Sequence, residues 1–394
     1  MNNTRVHATA IALGGLIALA AAMGIGRFVY TPILPFMAQS LGLSQAQAGV
    51  IASANFLGYL LGALAASSAA LPGGRRGWFL GALALSAVST GAMGLTSSLA
   101  LFLGLRFLGG MASAFVLVFA SALVLDRLAA ARRPGLSAVH FAGVGCGIAA
   151  SAVLVSGLAA GGGDWRMLWL ASGALSLLAL GAVAWLVPAA AEAERPAAAS
   201  RDAGPKRRLL ALIVAYGLFG FGYVITATFI STMVRAAPEL RPIEPAIWLV
   251  VGLAAVPSVA LWTWVGRRWG NDRSFAIACL AEGIGVAMSV LATSAWAIVV
   301  SAALLGGTFM GITALGLIHA RSLSTGDPRR SLGLMTAAFG LGQMIGPTFA
   351  GVAYGLDGSF LVPSLVAAAA LLVAAGLVMD PHGQLRRAAE RKRP

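Results

Sequence analysis

Apolar residues dominate this chain in twelve long stretches that are separated by short polar segments. The stretches cover residues 8–37, 45–70, 78–96, 99–122, 137–160, 165–188, 209–233, 246–265, 274–293, 296–320, 331–355 and 359–379. Each is close to the roughly 20 residues that an α-helix needs to cross about 30 Å of hydrocarbon. The pattern predicts an all-α integral membrane protein with twelve transmembrane helices, spans 1 to 12.

Positive charge follows the same pattern, because basic residues gather in every second connection. Of the 27 Lys and Arg residues, 22 lie in the N-terminus, the even-numbered connections and the C-terminal tail. Three of the remaining five (Arg166, Arg235 and Arg241) lie in the other connections, and two (Arg27 and Arg106) lie within spans. Basic loops stay on the cytoplasmic side of a membrane. The split therefore predicts a multi-pass protein of a bacterial-type inner membrane with both termini in the cytoplasm.

The net charge of +14 would suit a nucleic-acid partner if it formed one surface. Instead it is divided among short loops such as 75–76 and 329–330, where topology and anionic lipid headgroups account for it. A hydrophobic content of 59% and a mean hydropathy of +0.87 exclude an ordinary soluble domain. The expected surroundings are thus a lipid bilayer, with no nucleic acid.

Two further features concern processing and redox chemistry. The first apolar stretch is too long for the core of a signal peptide, so we expect it to be retained as span 1. Cys146 and Cys279 lie within spans 5 and 9. We expect them to be small packing residues and not a disulfide pair.

The chain consists of two related halves. The longest hydrophilic stretch, residues 189–208, separates a first half (residues 1–188) from a second half (residues 209–394), and we expect it to be a cytoplasmic linker. Three segments of the first half match the second half at offsets of 196, 197 and 199 residues: Gly24–Met37 with Gly220–Met233, Arg106–Gly110 with Ala303–Gly307, and Gly143–Gly147 with Gly342–Gly346. The nearly constant offset predicts two parallel six-helix bundles, an architecture found in secondary transporters.

Several motifs resemble those of the major facilitator superfamily. The segment Arg106-Phe-Leu-Gly-Gly-Met-Ala-Ser-Ala114 is similar to the Arg-x-x-x-Gly-x-x-x-Ala motif of span 4 in that superfamily. The segment Leu71-Pro-Gly-Gly-Arg-Arg76 is a degraded form of its first cytoplasmic loop motif, and Gly266-Arg-Arg-Trp-Gly270 is the counterpart after span 8. The resemblance covers essentially the whole chain and implies the major facilitator fold and a transport function.

The first spans of the two halves further resemble the YbfB/YjiJ branch of this superfamily. The resemblance lies in Gly24-Ile-Gly-Arg-Phe-Val-Tyr-Thr-Pro-Ile-Leu-Pro35 and Tyr216-Gly-Leu-Phe-Gly-Phe-Gly-Tyr223. Span 5 has Gly147-Ile148 where drug antiporters commonly have a Gly-Pro pair, and only span 11 keeps that pair, as Gly346-Pro347. The difference weakens a multidrug-export interpretation.

Arg27 in span 1 and Arg106 in span 4 are the main candidates for substrate binding. A charged side chain within a span is costly and usually faces a cavity or a partner. The two lie about ten and about eight residues from the outer ends of their spans, so their depths agree to within a few ångström. The resemblance implies that spans 1 and 4 line the central path. Guanidinium groups without a carboxylate partner attract anions. The alternative for Arg106 is a structural role, with hydrogen bonds to backbone carbonyl groups.

Four uncharged polar residues are further candidates for substrate binding. Tyr223 stands at the repeat position of Arg27, and Tyr30 follows Arg27 by three residues, so either hydroxyl group could reach a substrate. Asn55 in span 2 and Gln343 in span 11 complete this set. The alternatives are aromatic packing for the tyrosines and interhelical hydrogen bonding for the amides.

Glu282 and His140 are the candidates for proton coupling. Glu282 is the one acidic residue within a predicted span, and burial disfavours the ionised form of a carboxylate. His140 lies near the cytoplasmic end of span 5, close enough to the expected path to act as a relay. Span 9, which carries Glu282, is usually peripheral in the fold that the resemblance implies. A structural role for Glu282 is therefore the alternative.

The leading hypothesis is a secondary active transporter that moves a small, anionic or carboxylate-bearing organic solute by alternating access. The alternative within transport is multidrug or metabolite efflux by proton antiport. Other classes are a channel, a sensor that has lost transport, and an intramembrane enzyme, for which one Glu and two separated His residues provide no convincing constellation. The sequence has no Gly-x-x-x-x-Gly-Lys-Ser/Thr loop. We expect a monomer with no cofactor and no metal, and with protons as the candidate coupling ion.

The charge distribution makes a topology prediction. In a variant without Cys146 and Cys279, single cysteines at Ala198 and Arg391 should resist a membrane-impermeant thiol reagent in intact cells. A cysteine at Gly162, in the loop predicted on the opposite side, is the control and should react. Labelling at both Ala198 and Arg391 would overturn the orientation.

Overall fold

The computed structural model describes residues 2–68, 71–188, 207–324 and 328–379, and helices make up nearly all of these residues. Span 1 consists of α1 (Asn2–Leu19), a π-helical segment (Ala20–Ile25) and α2 (Tyr30–Leu41). Spans 2 to 12 are single α-helices: α3 (Gln45–Ala66), α4 (Arg75–Ala92), α5 (Leu99–Ala130), α6 (Ser137–Ala160), α7 (Trp165–Leu186), α8 (Arg207–Ala236), α9 (Glu244–Trp269), α10 (Asn271–Leu291), α11 (Ala295–Leu323), α12 (Pro328–Asp357) and α13 (Leu361–Val378).

Eleven of the twelve spans are long and apolar enough to cross a membrane when the described residues are searched. The exception is span 11, which is long enough but less apolar, because it carries Gln343, Pro347 and several glycines. Span 11 packs against span 2 and span 7. The prediction of an all-α protein with twelve spans is confirmed.

Some span boundaries differ from the prediction for a simple reason. Span 4 was expected to end at residue 122, but its helix continues to Ala130. Asp126 and Arg127 are polar yet compatible with a helix, so hydropathy marks where the apolar segment ends and not where the helix ends. Span 7 begins at Arg207, within the expected linker. The rest of that linker, residues 189–206, lies outside the described residues.

Glycines set the distance between helices in both halves, and they do so at related positions. A Cβ atom added to Gly110 of span 4 would collide with the backbone carbonyl of Asn55 in span 2. A Cβ atom added to Gly306 of span 10 would likewise collide with the backbone of Val251 in span 8. Gly306 and Val251 each lie 196 residues after Gly110 and Asn55, so the two contacts occupy related positions. This offset is one less than the offset at which the sequences of spans 4 and 10 match. Such close backbone contacts supply packing where lipid gives helices no hydrophobic drive to associate.

The two halves meet through a second set of glycines. Span 2 approaches span 11 where Gly49 faces the backbone of Pro347 and Gly351 faces that of Gln45. Span 5 approaches span 8, where a Cβ atom on Gly145 would lie 2.5 Å from the backbone nitrogen of Val256. These contacts bring spans 1 and 7 together at the centre of the molecule, where the candidate site lies.

Candidate functional site

The candidate site is built on a break in span 1. The helix widens to a π-helical segment at Ala20–Ile25, passes through a turn, and resumes at Tyr30. The backbone amide of Gly26 donates to the carbonyl of Ala21 at 2.8 Å, and the backbone amide of Thr31 donates to the carbonyl of Phe28 at 3.2 Å. These bonds span five and three residues, so the regular i to i−4 ladder is interrupted. Pro32 contributes to the break because it has no amide hydrogen to donate. Backbone carbonyls left free within a membrane need other donors.

Arg106 of span 4 supplies those donors. Its Nη1 donates to the carbonyl of Gly26 at 3.0 Å and its Nη2 donates to the carbonyl of Arg27 at 2.8 Å. The side chain is buried. Asn55 of span 2 holds the same region from the other side, since its Nδ2 donates to the carbonyl of Arg106 at 2.9 Å. Arg106 thus fixes the turn that carries Arg27, as its structural alternative described.

Arg27 extends from this turn into the interface between the two halves, where it is 3% exposed. Its Nη2 donates to Oε1 of Gln343, in span 11, at 2.7 Å. The guanidinium carbon lies 4.0 Å from the ring centre of Tyr59 and 4.7 Å from that of Phe56, both in span 2. Nε of Arg27 is buried without a hydrogen-bond partner among the described residues. The guanidinium group of Arg27 therefore contacts aromatic ring faces and one neutral amide group.

Gln343 connects Arg27 to the second half. Its Nε2 donates to the hydroxyl oxygen of Tyr223 in span 7. Tyr223 is the repeat counterpart of Arg27, so the two related positions meet through one amide group. The structure thus brings Arg27, Gln343 and Tyr223 together, as expected for residues that line one path.

Tyr30 and Asn55 lie next to this network, but their polar groups are engaged with the backbone. The hydroxyl of Tyr30 donates to the carbonyl of Ala48 at 2.8 Å. Its ring centre lies 5.1 Å from the guanidinium carbon of Arg106. Both side chains are buried. Their observed contacts match the packing and hydrogen-bonding alternatives, and substrate binding by either remains a prediction.

The space around Arg27 is nearly closed. A cavity of about 10 Å³ lies between Arg27, Arg106 and the adjoining residues of spans 1, 2 and 7. That volume is room for about one water molecule. Contacts between the halves lie next to this cavity: the hydroxyl of Thr31 donates to the carbonyl of Ala227 at 2.7 Å, and the Arg235 guanidinium lies 3.7 Å from the ring centre of Phe36. A cavity of this size cannot hold an organic solute unless the residues that line it move apart.

Glu282 and His140 are both buried, and neither side chain forms a hydrogen bond with Arg27 or Gln343. Glu282 of span 9 has no hydrogen-bond partner at either carboxylate oxygen among the described residues. One polar neighbour is Thr308 of span 10, whose hydroxyl donates to the carbonyl of Leu304 at 2.6 Å. Neither ring nitrogen of His140 has a hydrogen bond of good geometry, and the ring packs against Gly15 of span 1. Their role in proton coupling remains a prediction.

The aromatic residues that surround Arg27 were not predicted from the sequence. Phe56 and Tyr59 lie one and four positions after Asn55 in span 2, and all three are buried. Residues spaced by three or four positions share a helix face. Asn55, once chosen as a lining residue, therefore also indicated Tyr59. No group of His, Cys, Asp and Glu suited to a metal ion occurs among the residues that the structure describes.

Comparisons with known proteins agree with the fold. A family model described as "Uncharacterised MFS-type transporter YbfB" matches residues 19–379. Among solved structures, a mutant of the nucleoside transporter NupG gives a TM-score of 0.73 and covers 94% of this chain and 99% of that chain, at 15% sequence identity. At that identity the likeness shows the shared fold alone. The search of curated proteins found no match.

The Arg106 contacts generate a stability prediction. Arg106→Lys keeps the charge but replaces the planar fork, whose two Nη atoms each bond one carbonyl, with a single ammonium group, so the hydrogen bonds to the span 1 turn are weakened. We expect the free energy of unfolding to fall by about 1.5 to 3 kcal/mol, the range for a hydrogen bond to a charged group. Thermal unfolding in detergent measures the change.

Arg166→Lys is the matched control for this prediction. Arg166 also donates to a backbone carbonyl, that of Gly94 at 3.0 Å, but from a partly exposed position. Its replacement should have a much smaller effect on unfolding. Equal losses of stability in the two variants would contradict the role assigned to Arg106.

Proposed function

The chain belongs to the family of YbfB-type transporters in the major facilitator superfamily, and on that premise we propose that it carries a small organic anion across the membrane. The anionic group, most simply a carboxylate, binds Arg27 at the centre of the molecule. The transport mechanism is alternating access, in which the two halves rock about this site. The proposed location is a bacterial-type inner membrane, with both termini in the cytoplasm.

The hydrogen bonding of Arg27 is the observation that supports an anionic substrate. A buried cation normally pairs with an acidic group. Arg27 instead donates to the neutral Gln343 and has an unpaired Nε, and the described residues offer it no carboxylate. A substrate carboxylate could accept two parallel hydrogen bonds from the guanidinium group, which is a stronger interaction than the single bond to an amide. In this proposal Gln343 occupies the place of the substrate while the site is empty.

Arg106 has a different part in the proposal from the one expected. Both of its Nη atoms donate to the backbone of span 1, which holds the guanidinium group in place, and its Nε, like that of Arg27, has no hydrogen-bond partner among the described residues. We assign it the positioning of Arg27. Its positive charge still raises the electrostatic potential of the site and adds to the attraction of an anion.

The nearly closed centre supports a carrier over a channel. A channel needs a continuous path, whereas the cavity beside Arg27 has room for about one water molecule. Counterflow in proteoliposomes distinguishes the two, because a carrier exchanges labelled for unlabelled substrate and a channel shows no such stimulation. A sensor that has lost transport would bind the anion without exchange.

Protons are the proposed coupling ion, and Glu282 is the proposed proton site. An ionised carboxylate buried without a partner is costly, so Glu282 should be protonated in this conformation. Export of the anion by proton antiport is the alternative direction of the same cycle. We propose a monomer without a cofactor and without enzymatic activity.

The proposed role of Arg27 predicts a graded loss of affinity. Arg27→Lys keeps the charge but loses the planar fork, and Arg27→Ala loses both. Loss of a desolvated charge pair should weaken binding by about 2 to 5 kcal/mol in Arg27→Ala, with a smaller effect in Arg27→Lys. Thermal stabilisation by a panel of small carboxylates identifies a ligand, and titration calorimetry then gives the affinities.

Arg268→Ala is the control, because Arg268 is exposed near the C-terminal end of span 8. It should bind like the wild type. Unchanged affinity in a folded Arg27→Ala protein would remove Arg27 from the site.

The proposed proton site makes a separate prediction. Glu282→Gln resembles the protonated residue and cannot release a proton, so accumulation driven by a proton gradient should be lost while exchange without a gradient persists. Glu239→Gln, at an exposed position of the loop between spans 7 and 8, should retain both activities. Driven accumulation that survives in Glu282→Gln at every pH would show that Glu282 is structural.

A further inference from the structure

Four aromatic side chains of the second half form a continuous stack beside the site. The aromatic stack consists of Phe219, Tyr223, Phe309 and Phe339, from spans 7, 10 and 11. The ring of Tyr223 lies nearly parallel to that of Phe309 (centroids 5.6 Å apart, 11° between planes) and to that of Phe339 (6.0 Å, 6°). Phe219 stacks on Tyr223 at 5.2 Å. Side chains from three helices thus present their ring faces to one another.

The stack is present in one half only. At offsets of 196 and 199 residues, the first-half counterparts of Phe219, Tyr223, Phe309 and Phe339 are Met23, Arg27, Ser113 and His140. If the rings served only to pack a six-helix bundle, the related bundle could use similar residues. The two halves instead differ where they face each other: the first half has a cation in contact with Phe56 and Tyr59, and the second half has the stack.

The stack lies close to the cation. The hydroxyl of Tyr223 accepts from Gln343, and Gln343 accepts from Arg27, so one amide group separates the guanidinium from the stack. Phe28 forms a second connection, because its ring centre is 5.5 Å from the Arg27 guanidinium and 6.0 Å from the ring centre of Phe309. One small molecule that displaces Gln343 could therefore contact both groups.

We infer that the transported anion carries an aromatic ring, with its carboxylate on Arg27 and its ring against the aromatic stack. The inference rests on the proposed function, since Arg27 supplies the charged contact. Aromatic rings attract one another in offset-stacked and edge-to-face geometries beyond the area they bury. The substrate class is thus an aromatic monocarboxylate, bound asymmetrically between the two halves.

Three probes of nearly equal size separate the charge from the ring. Benzoate has both, cyclohexanecarboxylate has the charge without an aromatic ring, and benzamide has the ring without the charge. Titration calorimetry on the purified full-length protein should show benzoate binding about 3- to 10-fold more tightly than cyclohexanecarboxylate, the factor expected for one aromatic pair. Benzamide should bind more weakly than either carboxylate.

Variants locate the preference in the stack. Phe309→Leu should lower the affinity for benzoate more than the affinity for cyclohexanecarboxylate, so that the ratio of the two affinities falls toward one. Phe339→Leu is the second variant, for use if Phe309→Leu does not fold. Phe79→Leu is the matched control, because Phe79 is fully buried in span 3 outside the stack, and it should keep the preference for benzoate.

The outcomes distinguish this inference from the proposed function. Equal affinity for benzoate and cyclohexanecarboxylate, or a preference for benzoate that survives in both stack variants, would refute the inference that the substrate carries an aromatic ring. The proposal of an anion transporter would stand. If neither carboxylate binds the folded protein, the role of Arg27 fails and the inference fails with it. If Arg27→Ala no longer binds either carboxylate, and Phe309→Leu still binds both but has lost the preference for benzoate, the results would support the role of Arg27 and the aromatic ring of the substrate.

Discussion

The structure of the centre depends on one constraint, which is that a broken helix inside a membrane must find donors for its free carbonyls. Span 1 breaks between its π-helical segment and Tyr30. Arg106 meets the constraint by donating to the carbonyls of Gly26 and Arg27. The same two bonds orient the turn, so the side chain of Arg27 extends toward the second half. Arg106 thus bonds to the backbone of span 1, and Arg27 remains available to a ligand.

The fold was largely predictable from the sequence, because hydropathy and charge reflect the bilayer directly. Twelve spans and two related halves follow from apolar length and from repeated Gly positions, and the structure confirms the twelve-helix architecture. Helix ends were less predictable. Span 4 continues eight residues past its apolar segment, to Ala130, since helix formation does not stop where hydrophobicity stops.

The candidate site was predictable in part. Charge inside a span identified Arg27 and Arg106, but spacing could not tell that one faces the interface while the other is bonded to the backbone. The Arg27–Gln343 bond joins residues 316 positions apart, so it depends on how the halves dock. Tyr59 was missed because aromatic residues are common in spans and only its contact with a cation distinguishes it.

The amide of Gln343 has a consequence for the direction of hydrogen bonds across the centre. An arginine can only donate, so Gln343 must turn its oxygen toward Arg27 and its NH₂ group toward Tyr223. Tyr223 then accepts, and its own proton must point away from Gln343. Without Arg27 nearby, the amide is free to rotate by half a turn and the tyrosine can become the donor. The direction of the hydrogen bonds from Arg27 through Gln343 to Tyr223 therefore depends on whether the two halves are in contact. The orientation of the Tyr223 hydroxyl proton changes with it.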